Sequence, residues 1–417
     1  MMKRIHDEID AIDRWLYRQK SRRPVAIVLG ASINGLAIVR SLGRRGIPVL
    51  LIDRDPQLGT WTRFARVVSL RGVPGDNDAV LELLLGLGHR LAQPGVIFPT
   101  ADSQCQFLAD HQFELEHHYK FLQPDPATVR AIIDKPKQYE IAKRAGIAIP
   151  GTFVPTSMAD AERAAASISY PAILKPYWGA DLRPASMRER GIKVFVVGSR
   201  DELLAAYAHA NSLDVPVMIQ EIIPGDDSEI YGYWAFWDEE GKERAWLTMR
   251  KLRQNPPRFG DGSLQQTVAA PEVAALSRKL LKAFDYRGLV GVEFKRDARD
   301  GSLKLIEINP RTEGGNQLAV SAGVDFAWIA YRHLTGTALP DEAAAFTPGV
   351  TYVNEEADLK TFLELHKAGE LKTTQWLRSW FSAKAYALGA WDDPMPLIVL
   401  AGRVARAATK RTLGIAS

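Results

Sequence analysis

The residues best suited to chemistry lie in Leu303-Lys-Leu-Ile-Glu-Ile-Asn-Pro-Arg-Thr312. Leu303, Leu305, Ile306 and Ile308 supply an apolar run that reads as a buried strand, and Glu307, Asn309 and Arg311 alternate along it. Side chains two apart on a strand share a face, so a carboxylate, an amide and a guanidinium are gathered together. Such a face makes a poor core. It suits a hard cation and a phosphate, because Mg²⁺ takes oxygen ligands and Arg grips phosphate oxygens through paired bonds. Tyr286-Arg-Gly-Leu-Val-Gly-Val-Glu-Phe-Lys295 is a second strand pattern, followed by the Asp- and Gly-rich turn Arg296-Asp-Ala-Arg-Asp-Gly301. Together they predict a hairpin with Glu293 across from Glu307. Glu293 sits inside an apolar run, and a buried carboxylate needs a partner or a metal. Glu293, Glu307 and Asn309 therefore form a set able to hold one or two Mg²⁺ against nucleotide phosphates. The plainer alternative is a solvated edge hairpin.

The elements that would position this set follow from the rest of the chain. Residues 1–23 pattern as a short basic amphipathic helix, with Ile5, Ile9, Ile12 and Leu16 at helical spacing. Pro24-Val-Ala-Ile-Val-Leu-Gly30, the turn to Gly35, a helix bearing Leu36, Val39 and Leu42, and Gly46-Ile-Pro-Val-Leu-Leu-Ile-Asp53 make a βαβ unit. Its glycine spacing is looser than G-x-G-x-x-G, so the turn either binds a ligand or simply joins strand to helix. Further strands are expected at 66–70 and 95–99. Asp102 then lies at the carboxyl end of a parallel strand, where it meets a substrate amine or caps the next helix. His111, His117 and His118 are read as surface residues, and Cys105 as a packed thiol. Residues 229–237 and 243–252 pattern as a hairpin around Asp238-Glu-Glu-Gly241. Arg250-Lys-Leu-Arg-Gln-Asn-Pro-Pro-Arg-Phe-Gly-Asp-Gly262 is expected as an irregular basic loop. Either it is an exposed loop, or Lys251 and Arg253 bind an acidic substrate or the transferring phosphate.

Glu293 with Glu-Ile-Asn-Pro-Arg at 307–311 resembles the metal and phosphate signature of the ATP-grasp ligases. The resemblance covers residues 24–335 and rests on the ordered set Lys135, Lys175, Glu221, Glu293, Glu307, Asn309 and Arg311. It implies an α/β ATP-grasp fold with an N-terminal preATP-grasp (Rossmann-like) domain at 24–125. A linker and small lid domain at 126–220, a catalytic domain at 221–335 and a helical extension at 336–417 would follow. Lys135, in Ile132-Ile-Asp-Lys-Pro-Lys137, would reach the nucleotide phosphates, and Lys175, in Tyr170-Pro-Ala-Ile-Leu-Lys-Pro176, the α- and β-phosphates. Residues 178–191, together with Lys193, resemble the mobile loop that closes over the triphosphate. Backbone groups of Ile222 and Ile223, after Glu221, would pair with the adenine edge, and Glu229 would take the ribose hydroxyls. Arg311 would neutralise charge on the transferring phosphate. The stretch 250–262 is similar to that of D-aspartate ligase-like members and of carboxylate–amine ligases of cell-envelope polysaccharide pathways.

The activity implied is an ATP-dependent carboxylate–amine ligase using one or two Mg²⁺, with Mn²⁺ as a substitute, acting on small-molecule carboxylate and amine substrates. A catalytically inactive ATP-binding scaffold and a ligase with a non-amine nucleophile stay open as alternatives. The 417 residues suffice for two or three domains, and 46% apolar with 24% charged content is that of an ordinary globular chain. A net charge of +4 with no basic stripe argues against a nucleic-acid binder. One cysteine fits a reducing, cytoplasmic setting. Charges throughout 1–23 argue against a secretory leader. The apolar and basic end, 396–411, is amphipathic and too short to span a bilayer. It suits the inner membrane surface, the protein's own body or a second subunit of a homodimer.

Overall fold

The computed structural model describes residues 2–19, 21–73, 76–177, 195–340 and 343–412. The first helix, Met2–Gln19, turns Ile5, Ile9 and Ile12 inward, and all three are buried. They join the core of a five-stranded parallel sheet: β1 (Ala26–Leu29), β2 (Val49–Asp53), β3 (Arg66–Ser69), β4 (Gly95–Pro99) and β5 (Tyr119–Lys120). The order is β3-β2-β1-β4-β5. The central strands β1, β2 and β4 are short, apolar and almost wholly buried, as parallel strands flanked by helices must be, whereas the edge strands β3 and β5 are partly exposed. Gly30 begins the turn after β1 with φ of +91°, a conformation that favours glycine. A Cβ on Gly35 would come within 2.0 Å of the Gly30 carbonyl, so the spacing of these two glycines serves the close packing of the helix Ile33–Gly43 on its strand.

Helices Pro126–Ile133 and Lys135–Arg144 lead to a small antiparallel sheet of β6 (Thr152–Phe153), β7 (Ala172–Pro176), β8 (Phe195–Val197) and β9 (Val217–Glu221), ordered β6-β9-β7-β8. Its core is alanine-rich, with Ala161, Ala164 and Ala165 from the helix Met158–Ser167 packed beneath the strands.

The large sheet contains β10 (Ile230–Trp237), β11 (Glu243–Asn255), β12 (Asp261–Thr267), β13 (Gly288–Arg296), β14 (Leu303–Asn309), β15 (Thr351–Val353) and β16 (Ala385–Tyr386). The order is β14-β13-β10-β11-β12-β15-β16. Period-two alternation divides it into two faces. Tyr233, Ala235, Trp237, Val290, Val292 and Phe294 face the helices Lys135–Arg144 and Pro271–Ala283. Trp234, Phe236, Leu247 and Met249 face the helix Ile33–Gly43 and the N-terminal sheet.

Two expectations need correction. Residues 250–262 are not an irregular loop: β11 runs to Asn255 and β12 starts at Asp261, so only a short turn separates them. The pattern was hidden because polar residues fill a strand whose neighbours supply the burial. Residues 336–417 are not purely helical either, since they place β15 and β16 on the edge of the large sheet. The extension is tied to the N-terminal domain by Arg40, 1% exposed, whose guanidinium donates to Asp393 (2.9 Å) and to the carbonyls of Ala387 (3.0 Å) and Leu388 (2.8 Å). Its last helix, Met395–Thr412, buries Pro396 and Leu400, whereas residues 401–407 are exposed at every position. Among the described residues, no helix is long and apolar enough to cross a membrane.

Candidate active site

Glu293 and Glu307 stand directly opposite each other on β13 and β14. An irregularity between Glu293 and Phe294 pairs Phe294 with Leu305 and leaves Ile306 extra. This one-residue bulge re-aims the strand. Leu303 and Leu305 thereby join Ile308 in the core, while Glu307 and Asn309 keep the other face. Without the bulge, period-two alternation would turn the two leucines toward the carboxylates.

Each carboxylate is held by a lysine from a different element. Lys135 opens the helix Lys135–Arg144 behind the N-cap Asp134, and its Nζ donates to Glu307 Oε2 at 3.0 Å. Lys251, from β11, donates to Glu293 Oε2 at 2.8 Å. Gly232 lies between them on β10, in register with both Glu293 and Met249, and a Cβ there would come 2.7 Å from Met249 Sδ. Burial works to strip the charge from both lysines, but the facing carboxylates outweigh it and raise them above the ordinary lysine value. Lys135 holds Glu307 far below the usual carboxylate range. Burial raises Glu293 in spite of Lys251, and Glu307 pushes it the same way.

The N-terminal domain clamps the far end of β14. Arg311 donates from Nε to Asp102 Oδ1 at 2.9 Å, so Asp102 meets a guanidinium within the chain. Asn34 donates to the Thr312 carbonyl at 2.7 Å and accepts from Thr312 Oγ1 at 2.6 Å. Cys105 is buried, with its Sγ 3.2 Å from the Pro310 carbonyl. Asn309 donates from Nδ2 to Glu313 Oε1 at 2.7 Å and to Glu307 Oε1 at 3.3 Å, and Arg311 Nη2 approaches its Oδ1 at 3.4 Å. Burial pushes Glu313 up to about 8. Sequence patterning did not single out Glu313. The available signal was a carboxylate four residues beyond Asn309, in the turn Thr312-Glu-Gly-Gly315.

Lys175 lies next to the end of β7 with its Nζ 5.9 Å from the Tyr139 ring centroid. Among the described residues it makes no ion pair. Burial, with repulsion from Lys135, lowers it to about 7. The expected lid, 178–191 with Lys193, lies outside the described residues.

The nucleotide-side residues are placed as follows. Glu221 ends β9 and accepts from Gly151 N (2.9 Å), Lys304 Nζ (2.8 Å) and Arg299 Nη2 (3.0 Å). Its carboxylate fastens the small sheet to the β13–β14 hairpin, so any contact there with a base falls to neighbouring backbone. The Ile222 amide donates to the Pro171 carbonyl at 3.3 Å, and Ile223 is buried. Glu229 is half-exposed, 3.7 Å from Arg296.

Arg253 does not join the cluster. Lys251 pairs with Gln265 and Arg253 with Leu264, so a bulge at Leu252 turns the two cations to opposite faces. Arg253 instead grips Asp358 through two bonds of 2.8 Å and Ser379 at 2.8 Å. Contrary to expectation, Arg253 is committed to Asp358 and Ser379 and does not face the carboxylate pair. In the N-terminal domain, Asp53 accepts from Ala31 N (2.5 Å), Arg54 N (2.6 Å) and Gln57 Nε2 (3.2 Å). The acid at the end of β2 thus holds its own turns together.

Among the described residues, no three His, Cys, Asp or Glu side chains form a ready metal cage. Two facing carboxylates and an amide oxygen nevertheless suit a hard cation whose remaining ligands are water and phosphate oxygens. Crowding of the acids on one face, relieved in part by Lys135, Lys251 and Arg311, fits such a cation as well.

Residues 239–357 match the family model described as ATP-grasp in the biosynthetic pathway with Ter operon. The chain is 23% identical over 318 residues to D-aspartate ligase of Enterococcus faecium (strain Aus0004), spanning 73% of this chain and 75% of that protein. It is 24% identical over 218 residues to N5-carboxyaminoimidazole ribonucleotide synthase of Synechococcus elongatus, half of each chain. Among solved structures, N5-carboxyaminoimidazole synthetase from Staphylococcus aureus complexed with ADP superposes with a TM-score of 0.62 at 15% identity, covering 82% of this chain and 86% of that one. The biotin carboxylase domain of Hydrogenobacter thermophilus 2-oxoglutarate carboxylase, solved with MgADP, gives 0.61 at 17% identity over 78% and 72%. The superpositions show that the chain has the fold of these structures, and the ATP-grasp match falls on residues 239–357, which hold β11 to β15 and the two facing carboxylates.

Proposed function

We propose that the protein is an ATP- and Mg²⁺-dependent ligase that activates a carboxylate as an acyl-phosphate and joins it to an amine. The observation that carries this reading is the face on which Glu293, Glu307 and Asn309 meet Lys135, Lys251 and Arg311. A carboxylate oxygen of the substrate attacks the γ-phosphorus of ATP, the bond to the β-phosphate oxygen breaks, and ADP leaves. The amine nitrogen then adds to the acyl carbon, phosphate departs, and a proton is lost to give the amide. Both steps need positioning and charge neutralisation rather than a protein nucleophile. Lys135 and Lys175 would bind phosphate oxygens, and Arg311, anchored by Asp102, would steady the transferring group. Glu293, Glu307 and Asn309 would hold Mg²⁺, which when bound supplies positive charge to the phosphates. The likeness to D-aspartate ligase supports an amino acid as one substrate. The resemblance of residues 250–262 to carboxylate–amine ligases of cell-envelope polysaccharide pathways makes a cell-envelope precursor the candidate for the other.

The test is phosphate release from MgATP against a panel of amino acids, with and without peptidoglycan and uronic-acid glycan precursors. Release that requires both a carboxylate and an amine is the expected result. Release that is independent of any acceptor, or absent with every mixture, contradicts the reading.

A further inference from the structure

Asn309 is 5% exposed, and its amide has two chemically different ends. The assigned orientation follows from its neighbours. Nδ2 lies between carboxylate oxygens of Glu313 (2.7 Å) and Glu307 (3.3 Å), and Oδ1 lies beside Arg311 Nη2 (3.4 Å). Reversing the amide would set its oxygen against the Glu307 carboxylate and its NH₂ against a guanidinium. The closest of these contacts is the one to Glu313.

Space for that contact is built into the opposite strand. Gly291 pairs with Asn309 across β13 and β14. A Cβ on Gly291 would come 2.0 Å from Glu313 Oε1 and 2.7 Å from Cγ and Cδ of the same side chain. The Glu313 carboxyl group thus occupies the place where residue 291 would otherwise carry a side chain. A glycine within a strand weakens it, and close approach of another group is what explains its presence here. The turn that carries Glu313 is itself latched at Thr312 by Asn34.

We propose that Glu313 is a positioning residue for the metal-binding face: it grips Asn309 Nδ2 and so keeps Asn309 Oδ1 available as a metal ligand. The inference rests on the nucleotide–metal reading above and adds a residue to it. Metal ligands owe much of their affinity to outer partners that orient them, and losing such a partner typically weakens binding by about 10- to 100-fold.

The test uses the full chain, with ATP binding measured by calorimetry across a Mg²⁺ series and Mn²⁺ binding measured by electron paramagnetic resonance. Glu313→Ala is expected to raise the half-saturating Mg²⁺ concentration by about 10-fold or more, with ATP affinity at saturating Mg²⁺ little changed. Glu313→Gln, whose side-chain oxygen still accepts from Asn309, is expected to stay close to wild type. Gly291→Ala should reproduce the Mg²⁺ defect by displacing the carboxylate while all three proposed ligands remain. It should be better tolerated, by melting temperature, in the Glu313→Ala background than alone. An unchanged Mg²⁺ dependence in a folded Glu313→Ala protein overturns the inference, and so does Glu313→Gln as defective as Glu313→Ala. Wild-type protein that binds no ATP at any Mg²⁺ concentration overturns the nucleotide reading and this inference with it.

Discussion

Lys251 and Arg253 stand two residues apart on β11 and both enter buried ion pairs, but the pairs differ in how completely they are bonded. Asp358, opposite Arg253, accepts two guanidinium bonds, a third from Ser263 Oγ (3.0 Å), and one each from the indoles of Trp376 (2.8 Å) and Trp380 (2.6 Å). That set is closed, and despite burial Asp358 lies below the ordinary aspartate value, held there first by Arg253. Glu293, opposite Lys251, has one close bond and faces a second carboxylate across the hairpin. The first arrangement is what a buried charge needs in order to be tolerated. The second keeps like charges together on one face. Its stability is not improved by that, so a ligand is the better account of it.

Variants on the two sides of this comparison should separate function from stability. The largest effect is expected for Glu307→Ala, which should lower ligase turnover by about 10³-fold or more, some 4 kcal/mol in the barrier, in protein that still folds. Turnover by phosphate release and unfolding by calorimetry on the same sample decide it. Full turnover in this variant would remove the metal assignment. Asp358→Ala should do the reverse. Unpairing a buried Arg253 should cost about 3–5 kcal/mol in urea denaturation, while protein kept folded at low temperature retains Mg²⁺-dependent ATP binding. Because Asp358 is shifted downward, its stabilisation is present above the ordinary value of 3.8 and lost as pH falls toward the folded value.

Lys175 sharpens the contrast from the other direction. Its folded value of about 7 lies below the ordinary 10.5, so the charged form disfavours the nucleotide-free fold. That penalty is full below about 7, shrinks as pH rises, and is gone above 10.5. Lys175→Met should therefore raise the melting temperature, more at pH 6 than at pH 9, while weakening ATP binding. A variant that melts lower at pH 6 would show that Lys175 belongs to the stabilising set instead. The smallest effect is expected at Glu229, whose half-exposed carboxylate lies 3.7 Å from Arg296. Glu229→Gln should change stability by no more than about 0.5 kcal/mol and weaken ATP binding modestly. An equal weakening for a 2′,3′-dideoxynucleotide would mean that the side chain does not read the ribose.

The parts legible in the sequence were those where local pattern and tertiary role agree. Apolar runs ending at Gly30, Asp53 and Pro99 named the parallel sheet, and the turn at 296–301 set the register that brings Glu293 to Glu307. Bulges were not legible. The extra residue at Ile306 lets a strictly alternating pattern serve two faces at once, and the one at Leu252 sends Arg253 away from Lys251, although i and i+2 on a regular strand share a face. The strands β15 and β16 were missed because three- and two-residue strands carry too little pattern to read. Arg40 was missed because its three partners, Ala387, Leu388 and Asp393, lie far along the chain and nothing local marks a charged residue on a helix as buried. Glu313 lay in plain view within a glycine turn. Its meaning depends on Gly291 across the hairpin, a relation between strands that a single run of residues does not display.

The most direct test of the account is calorimetric titration of the wild-type protein with ATP, in the presence and the absence of Mg²⁺. If the crowded carboxylates and lysines exist to hold a metal-bound triphosphate, binding should be tight with Mg²⁺, weak without it, and lost together with the metal dependence in Glu307→Ala. Binding that ignores Mg²⁺, or no binding under either condition, would contradict the central claim.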